Sequence, residues 1–244
     1  MIDLHCHILP GIDDGAKDVA EARAMLDQQR AAGVTRMVLT PHFHPEAESP
    51  DAFLSTRDKA WNILSTVLTA QEKELIRLGA EVRYCPGLLS MDLRRLTLGD
   101  SDYLLLEMPE QDYPAYTVQV AERLMGNGLI PVLAHVERCA YFRREPELLK
   151  RLVDLGVLTQ VSLRALFDKR DQNFSAACLG SGLAQLVASD AHNLSHRKPC
   201  MELLAKLPRE SQLLHEATAE AVWENELPPY FRADNIKKTF FGYR

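Results

Sequence analysis

The sequence predicts an α/β fold in which seven short parallel strands alternate with helices and close, or nearly close, into a barrel whose working face lies at the C-terminal strand ends. Three observations predict it. Short runs rich in Val, Leu and Ile, apolar on both faces, read as buried parallel strands. Stretches with apolar residues at helical spacing lie between them. Imidazole and carboxylate side chains gather where the runs end. A chain of 244 residues suits one such domain, read as 1–244, with residues about 209–244 as a C-terminal helical extension packed on it.

Ile2–Leu4 opens the series and leads straight into His5-Cys6-His7. Asp18 and Glu21 form a capping pair for a helix whose Ala22, Met25, Leu26 and Gln29 share one side, and Gly33 supplies its stop. Arg36–Thr40 is the second strand and ends in Pro41-His42. A helical pattern covers Asp51–Leu75. Leu78–Tyr84, the third strand, carries Glu81, and Tyr103–Glu107, the fourth, ends in Glu107. A helix over Tyr116–Asn127 precedes the fifth strand, Pro131–Ala134, with His135 and Arg138 directly after it. Helices over Pro146–Gly156 and Ser175–Gly182 precede the sixth and seventh strands, Leu158–Leu163 and Leu186–Ala188. Asp190 and His192 follow the last of these, and then a helical stretch over Lys198–Lys206.

An apolar content of 46% with 25% charged residues is that of an ordinary globular chain able to bury a core. The net charge of -6 argues against nucleic acid or an anionic membrane as the main partner. Chemistry-bearing residues from position 3 leave no room for a signal peptide, and no apolar run reaches the ~18 residues of a membrane span. Five scattered cysteines without a CxxC pair fit reduced thiols, so the expected location is the cytoplasm, without membrane insertion.

Residues i and i+2 of a strand point the same way, so His5 and His7 can offer two imidazoles to one ion. HxH alone is a weak signal, because a lone histidine is more often a hydrogen-bonded core residue. Here it is joined at other strand ends by His42, Glu81, Glu107, His135, Asp190 and His192. A glutamate closing the run LLLE is costly to bury unless paired or coordinating a cation. Asp13-Asp14-Gly15 is also an ordinary turn sequence, so only one of the two aspartates is required as a ligand. Imidazole and carboxylate without thiolate disfavours structural zinc and suits manganese, iron or catalytic zinc. The candidates are too many for one ion, so two or three divalent ions are expected, and such clusters hydrolyse phosphate esters or carbonyl compounds. Arg138 and Arg197, close to His135 and His192, present planar forks that match phosphate oxygens and favour a phosphate ester; Arg143 and Arg144 add charge nearby. Cys6 and Cys139 are expected to pack near the site without reacting.

MIDLHCHILPGIDDGAKD, TPHFHP, GAEVRY, LLLEMP, AHVER, TQVS and ASDAHNLSHRKP, in that order, resemble the capsule- and exopolysaccharide-associated tyrosine phosphatases of the bacterial polymerase-and-histidinol-phosphatase (PHP) superfamily, from residue 1 to about 200. The resemblance implies a distorted (β/α)7 barrel with a three-metal cluster, often manganese-dependent. It assigns His5, His7, Glu81 and Asp190 to the first ion, Glu81, Glu107 and His135 to the second, and Asp14, His42 and His192 to the third, with Asp13 as the alternative to Asp14. Arg138 and Arg197 match the family's phosphate-handling arginines. The implied partner is a tyrosine-phosphorylated polysaccharide-export autokinase, and a homo-oligomer is allowed. Two departures stand out: Cys6 replaces a small HxH spacer, and Ser162 stands where the family commonly has Asn.

The expected chemistry is attack on phosphorus by a hydroxide bridging two ions, with Arg138, Arg197 and the third ion neutralising phosphoryl charge and Asp14 able to assist proton transfer. A cysteine-dependent phosphatase needs arginine six residues after the thiolate, and these positions hold Ile12, Met91, Glu145, Ala184 and Lys206. The alternatives are a phosphoesterase acting on a small ester such as histidinol phosphate or on a nucleic-acid phosphodiester, and a non-catalytic module that docks on a kinase.

Overall fold

The computed structural model describes residues 1–229, 233–234, 236–239 and 242–243. The chain begins with β1 (Ile2–Cys6), α1 (Val19–Ala31), β2 (Arg36–Leu39), β3 (His42–Phe43), α2 (Pro50–Ser65), α3 (Ala70–Glu74), β4 (Ile76–Leu78) and β5 (Glu81–Arg83). It continues through β6 (Tyr103–Glu107), α4 (Thr117–Gly126), β7 (Ile130–Leu133), α5 (Ala140–Arg144), α6 (Pro146–Asp154), β8 (Leu158–Ser162), α7 (Gln172–Gly180), β9 (Leu186–Ala188) and α8 (Arg209–Glu224). One sheet has the order β1-β2-β4 and a second β3-β5-β6-β7-β8-β9, with every pairing in both parallel. The strands curl, because the chain just past β9 returns to β1: Asp190 N–H donates to His5 O (3.0 Å) and His7 N–H to Ala191 O (2.8 Å).

The expected α/β alternation is present, with differences in the elements. Arg36–Thr40 holds β2, with His42 on the separate β3, and Leu78–Tyr84, expected as one strand, is divided between β4 and β5. Pro41 has no N–H for the ladder, and at Gly79 an added Cβ would lie 3.1 Å from Thr97 O, so the chain breaks at both points. Bonds from Gly79 N–H to Leu39 O (2.9 Å) and from Glu81 N–H to Pro41 O (3.0 Å) carry the pairing across. The stretch Asp51–Leu75 is two helices, because Thr69 and Glu72 cap the second reciprocally. Lys198–Lys206 holds only a 3-10 helix, Met201–Lys206. The first helix keeps its expected buried side, Ala22, Met25, Leu26 and Gln29, and Asp18 Oδ1 accepts from Glu21 N–H at 2.8 Å. Glu21 itself takes Lys17 N–H, not the backbone of Asp18.

Two apolar clusters divide the sheet faces with period two. Tyr103 and Leu105 on β6, Val132 on β7, Leu158 on β8 and Leu186 on β9 meet Ile2 and Leu4 in the inner cluster, and α8 contributes Ala219, Val222 and Trp223 to it. Leu104, Leu106, Leu133 and Val161 join the outer cluster with the helices. The pairing of β1 with β2 shifts by one residue between Asp3 and Cys6. That irregularity lets Leu4 stay in the inner cluster while His5 and His7 turn to the strand-end site. Beyond α8 the described residues include an antiparallel pair, Lys238–Thr239 with Gly242–Tyr243; Arg244 lies outside the described residues.

His215, on α8, is buried and its Nδ1 accepts from Val187 N–H of β9 at 3.3 Å. Burial, with the positive amino terminus nearby, pushes this imidazole down to about 4. Above pH ~6.5 it is neutral folded and unfolded, so it costs nothing; between ~6.5 and ~4 the unfolded chain takes the proton first and stability falls by about 3 kcal/mol. Urea unfolding of the His215→Gln variant is therefore expected to show a flatter stability profile than the parent across pH 6.5 to 4. Parallel profiles would refute this.

Candidate metal centre

The strand ends bring all nine expected ligand residues together. His5 and His7 place Nε2 atoms 3.1 Å apart. Glu81, at the start of β5, lies between four imidazoles: Oε2 is 3.2 Å from His5 Nε2, 3.2 Å from His7 Nε2 and 3.1 Å from His42 Nδ1, and Oε1 is 2.6 Å from His135 Nε2. Asp190 Oδ1 stands 3.6 Å from His5 Nε2 and 3.7 Å from His7 Nε2. Asp14 Oδ1 is 3.4 Å from both His42 Nε2 and His192 Nε2. Among the described residues, three groups offer ligand atoms all within 4.8 Å of one another: His5, His7 and Glu81; His42, Glu81 and Glu107; His7, Asp14, His42 and His192. His7 thus joins the Asp14 group, and Glu107 groups with Glu81, as expected, and with His42.

The two aspartates of the turn have different surroundings. The Asp13 carboxylate is turned inward and engaged at both oxygens: Oδ2 accepts from His7 Nδ1 (2.8 Å) and His42 N–H (3.0 Å), and Oδ1 from Gly15 N–H (3.0 Å). Asp14 is mostly exposed and reaches the imidazoles of His42 and His192. Gly15 permits this turn, because a Cβ there would sit 2.2 Å from His7 O.

Backbone strain is concentrated here. Of the three non-glycine residues with positive φ among the described residues, His135 (30°) and Asp190 (48°) belong to the site. The left-handed conformation turns both side chains where an extended continuation of β7 and β9 would not.

The electrostatics follow from burial and neighbours. Burial opposes charge on His7, yet the carboxylates of Asp13 and Glu81 lift it to about 10; burial opposes charge on Asp13, yet its bond to His7 holds it at about 2. Glu81 is buried, but His5 and His135 hold its carboxyl well below the usual range. Burial and then the charge of His7 push His42 down, and push His192 down to about 2, so these two imidazoles keep free lone pairs. Glu81 Oε2, His42 Nδ1 and His192 Nε2 are buried and make no hydrogen bond. Buried polar atoms are rarely left so. A set of imidazole and carboxylate donors that converge without satisfying one another fits divalent cations.

Arg138 and Arg197 both close on Asp190: Arg138 Nη2 bonds Oδ2, and Arg197 Nη2 lies 2.8 Å from each oxygen. Sequence reading missed Gln160, whose Oε1 lies 3.2 Å from His5 Nδ1 and fixes that ring. Its only signal was a polar residue within the apolar sixth strand. All five cysteines are free and buried, and burial raises the thiols of Cys139 and Cys200 to about 12 and that of Cys6 above its usual range. None is poised as a nucleophile.

A family model described as capsular polysaccharide synthesis, CpsB/CapC, matches residues 1–225. The tyrosine-protein phosphatase YwqE of Bacillus subtilis (strain 168) is 35% identical over 203 residues, 81% of this chain and 79% of that protein. The tyrosine-protein phosphatase CpsB of Streptococcus pneumoniae is 31% identical over 218 residues, 83% of this chain and 87% of that one. A crystal structure from work on YwqE and CpsB, described as unique metal-dependent tyrosine phosphatases, superposes with a TM-score of 0.82 and 32% identity over 97% of this chain and 100% of that chain. A dihydropyrimidinase from Brevibacillus agri NCHU1002 shares the fold, with a TM-score of 0.53 at 14% identity over 96% of this chain and 73% of that one.

Proposed function

The chain belongs to the CpsB/CapC family of capsular polysaccharide synthesis, and from that premise we propose that it is a metal-dependent protein-tyrosine phosphatase acting on the phosphorylated autokinase of capsule or exopolysaccharide export. The observation that carries the proposal is the convergence of nine imidazole and carboxylate residues beside two arginines on one carboxylate. The fold is read as a distorted (β/α)7 barrel, taking β2 with β3 and β4 with β5 as interrupted single strands. The domain is read as 1–244, and the packing of α8 on the inner cluster supports including its C-terminal part.

The proposed ligands are His5, His7, Glu81 and Asp190 for the first ion, Glu81, Glu107 and His135 for the second, and Asp14, His42 and His192 for the third. Asp14 is preferred over Asp13, whose oxygens are already occupied by N–H donors. Oxygen and imidazole donors suit manganese, with iron or zinc as alternatives. The chemistry supplied by divalent ions here is activation of water near neutral pH and neutralisation of phosphoryl charge.

The chain's own part is binding and orientation. Arg138 and Arg197 hold phosphoryl oxygens with the N–H groups that Asp190 leaves free. Asp13 and Gln160 fix the rings of His7 and His5. A phenolate, with a parent pKa of about 10, leaves with little protonation, so Asp14 at the mouth suffices for proton transfer. The raised thiols fit a route without a covalent phosphocysteine. No helix among the described residues is long and apolar enough to cross a membrane, and a cytoplasmic location is proposed from the free thiols.

The test is turnover of a phosphotyrosyl peptide by the purified chain with added Mn2+ and with chelator, beside histidinol phosphate and bis-p-nitrophenyl phosphate. Peptide hydrolysis that the chelator abolishes is the expected result. Preferential turnover of histidinol phosphate or the diester would replace the reading, and peptide binding without turnover would establish the docking alternative.

A further inference from the structure

Beside the metal centre lies a cavity of about 560 Å3 whose wall carries five arginines. Arg138 and Arg197 are among them, both held on Asp190. Arg143, Arg164 and Arg170 line the same cavity and bond neither Asp190 nor any of the nine residues proposed as ligands. Arg143 Nη1 lies 2.6 Å from Asp171 Oδ1, and Arg170 Nη2 3.0 Å from Asp171 Oδ2, so one carboxylate holds two guanidiniums. Arg164 has no carboxylate within 4.0 Å among the described residues; its Nη2 donates to Lys198 O at 2.7 Å. Each guanidinium has five N–H donors, so these bonds leave donors over. Ser162, in the same wall, is 5% exposed, and its hydroxyl makes no hydrogen bond.

A reacting phosphate is met by Arg138, Arg197 and the metal centre. Arg164, with no carboxylate partner among the described residues, and the Ser162 hydroxyl line the same cavity without bonding Asp190, and are therefore free for a different part of the substrate. We propose that this part of the wall, centred on Arg164, is a specificity subsite for a carboxylate side chain on the same peptide, near the phosphotyrosine. The proposal rests on the phosphatase reading above and names its substrate class: phosphotyrosyl segments with a flanking Asp or Glu. Planar bidentate recognition of a carboxylate is what a half-buried guanidinium does best. The turn that carries Arg164, Leu163–Phe167, follows β8 directly, so the side chain is held by a rigid strand end.

The experiment compares kcat/KM for two phosphotyrosyl peptides that differ only in flanking Glu against flanking Gln, in the metal-loaded parent, R164A and R164K. Affinities of the corresponding peptides with a non-hydrolysable phosphonate in place of phosphotyrosine are measured in parallel by fluorescence anisotropy. Expected is a Glu-over-Gln preference of roughly tenfold in the parent, in both turnover and affinity, shrinking with added salt. The ratio falls to within about twofold in R164A and to an intermediate value in R164K, whose ammonium keeps the charge but not the fork. Because each ratio is taken within one enzyme form, partial loss of folded protein does not disturb it. Equal efficiency on both peptides in the parent, or an unchanged ratio in R164A, overturns the subsite and leaves the phosphatase reading intact. Hydrolysis of neither peptide by metal-loaded parent overturns the phosphatase reading and the subsite with it.

Discussion

Replacing Glu81 by glutamine is expected to lower kcat/KM on a phosphotyrosyl peptide by at least ~10^3-fold and to strip metal from the purified protein. Among the described residues no other side chain stands among so many candidate ligands: His5, His7, His42 and His135 all have a ring nitrogen within 3.2 Å of its carboxylate. The amide keeps the shape but removes the charge and replaces one oxygen by an NH2 donor, so it would hold divalent cations poorly. Stability falls too, by about 3–5 kcal/mol where a buried charge cluster loses its partner, so circular dichroism must accompany the metal analysis. Asp13→Asn supplies the graded comparison. Its carboxylate orients His7 and bonds backbone N–H groups, and the expected loss is ~10 to 100-fold. If Asp13→Asn proves as damaging as Glu81→Gln and Asp14→Asn is benign, the choice between the two aspartates is reversed.

Much of this site was legible because ligand atoms at strand ends need only the strands to be parallel and adjacent. His5-x-His7, Glu81, Glu107 and Asp190 each follow or close an apolar run, and parallel pairing carries those ends to one side whatever the exact strand limits. Connections governed by tertiary geometry were less legible. The break of the third strand depends on Gly79 lying close against Thr97 O, a coincidence of positions far apart in sequence. The left-handed turns at His135 and Asp190 leave no local mark, since neither residue is glycine. The division of labour between Asp13 and Asp14 was undecidable from Asp-Asp-Gly. It depends on which carboxylate finds the His7 ring and the His42 N–H, partners from two other segments. Gln160 and Arg164 were passed over because a polar residue near a strand end has many ordinary uses.

Substituting Arg197 by alanine is expected to lower kcat/KM on the phosphotyrosyl peptide by on the order of 10^2-fold while leaving bound metal in place. Two roles compete for this residue. Its Nη2 contacts both oxygens of Asp190 at 2.8 Å, which would make it a holder of a ligand; its remaining N–H groups and its place in the cavity wall make it a binder of phosphate. A holder, once lost, loosens Asp190 and lowers metal content. A phosphate binder, once lost, weakens competitive inhibition by inorganic phosphate, here by about tenfold, at unchanged metal content. Arg197→Lys discriminates further, because an ammonium keeps the charge but not the fork, so it should recover phosphate inhibition only in part. Arg138 shares the same carboxylate, so the two alanine variants are not independent. Removing one leaves Asp190 with a single guanidinium partner, and removing both leaves it to the histidines and the cations. The double variant is therefore expected to depart from the product of the single losses. Metal content that falls in step with each loss of activity would place both arginines as holders of Asp190 and remove the phosphate clamp from the mechanism.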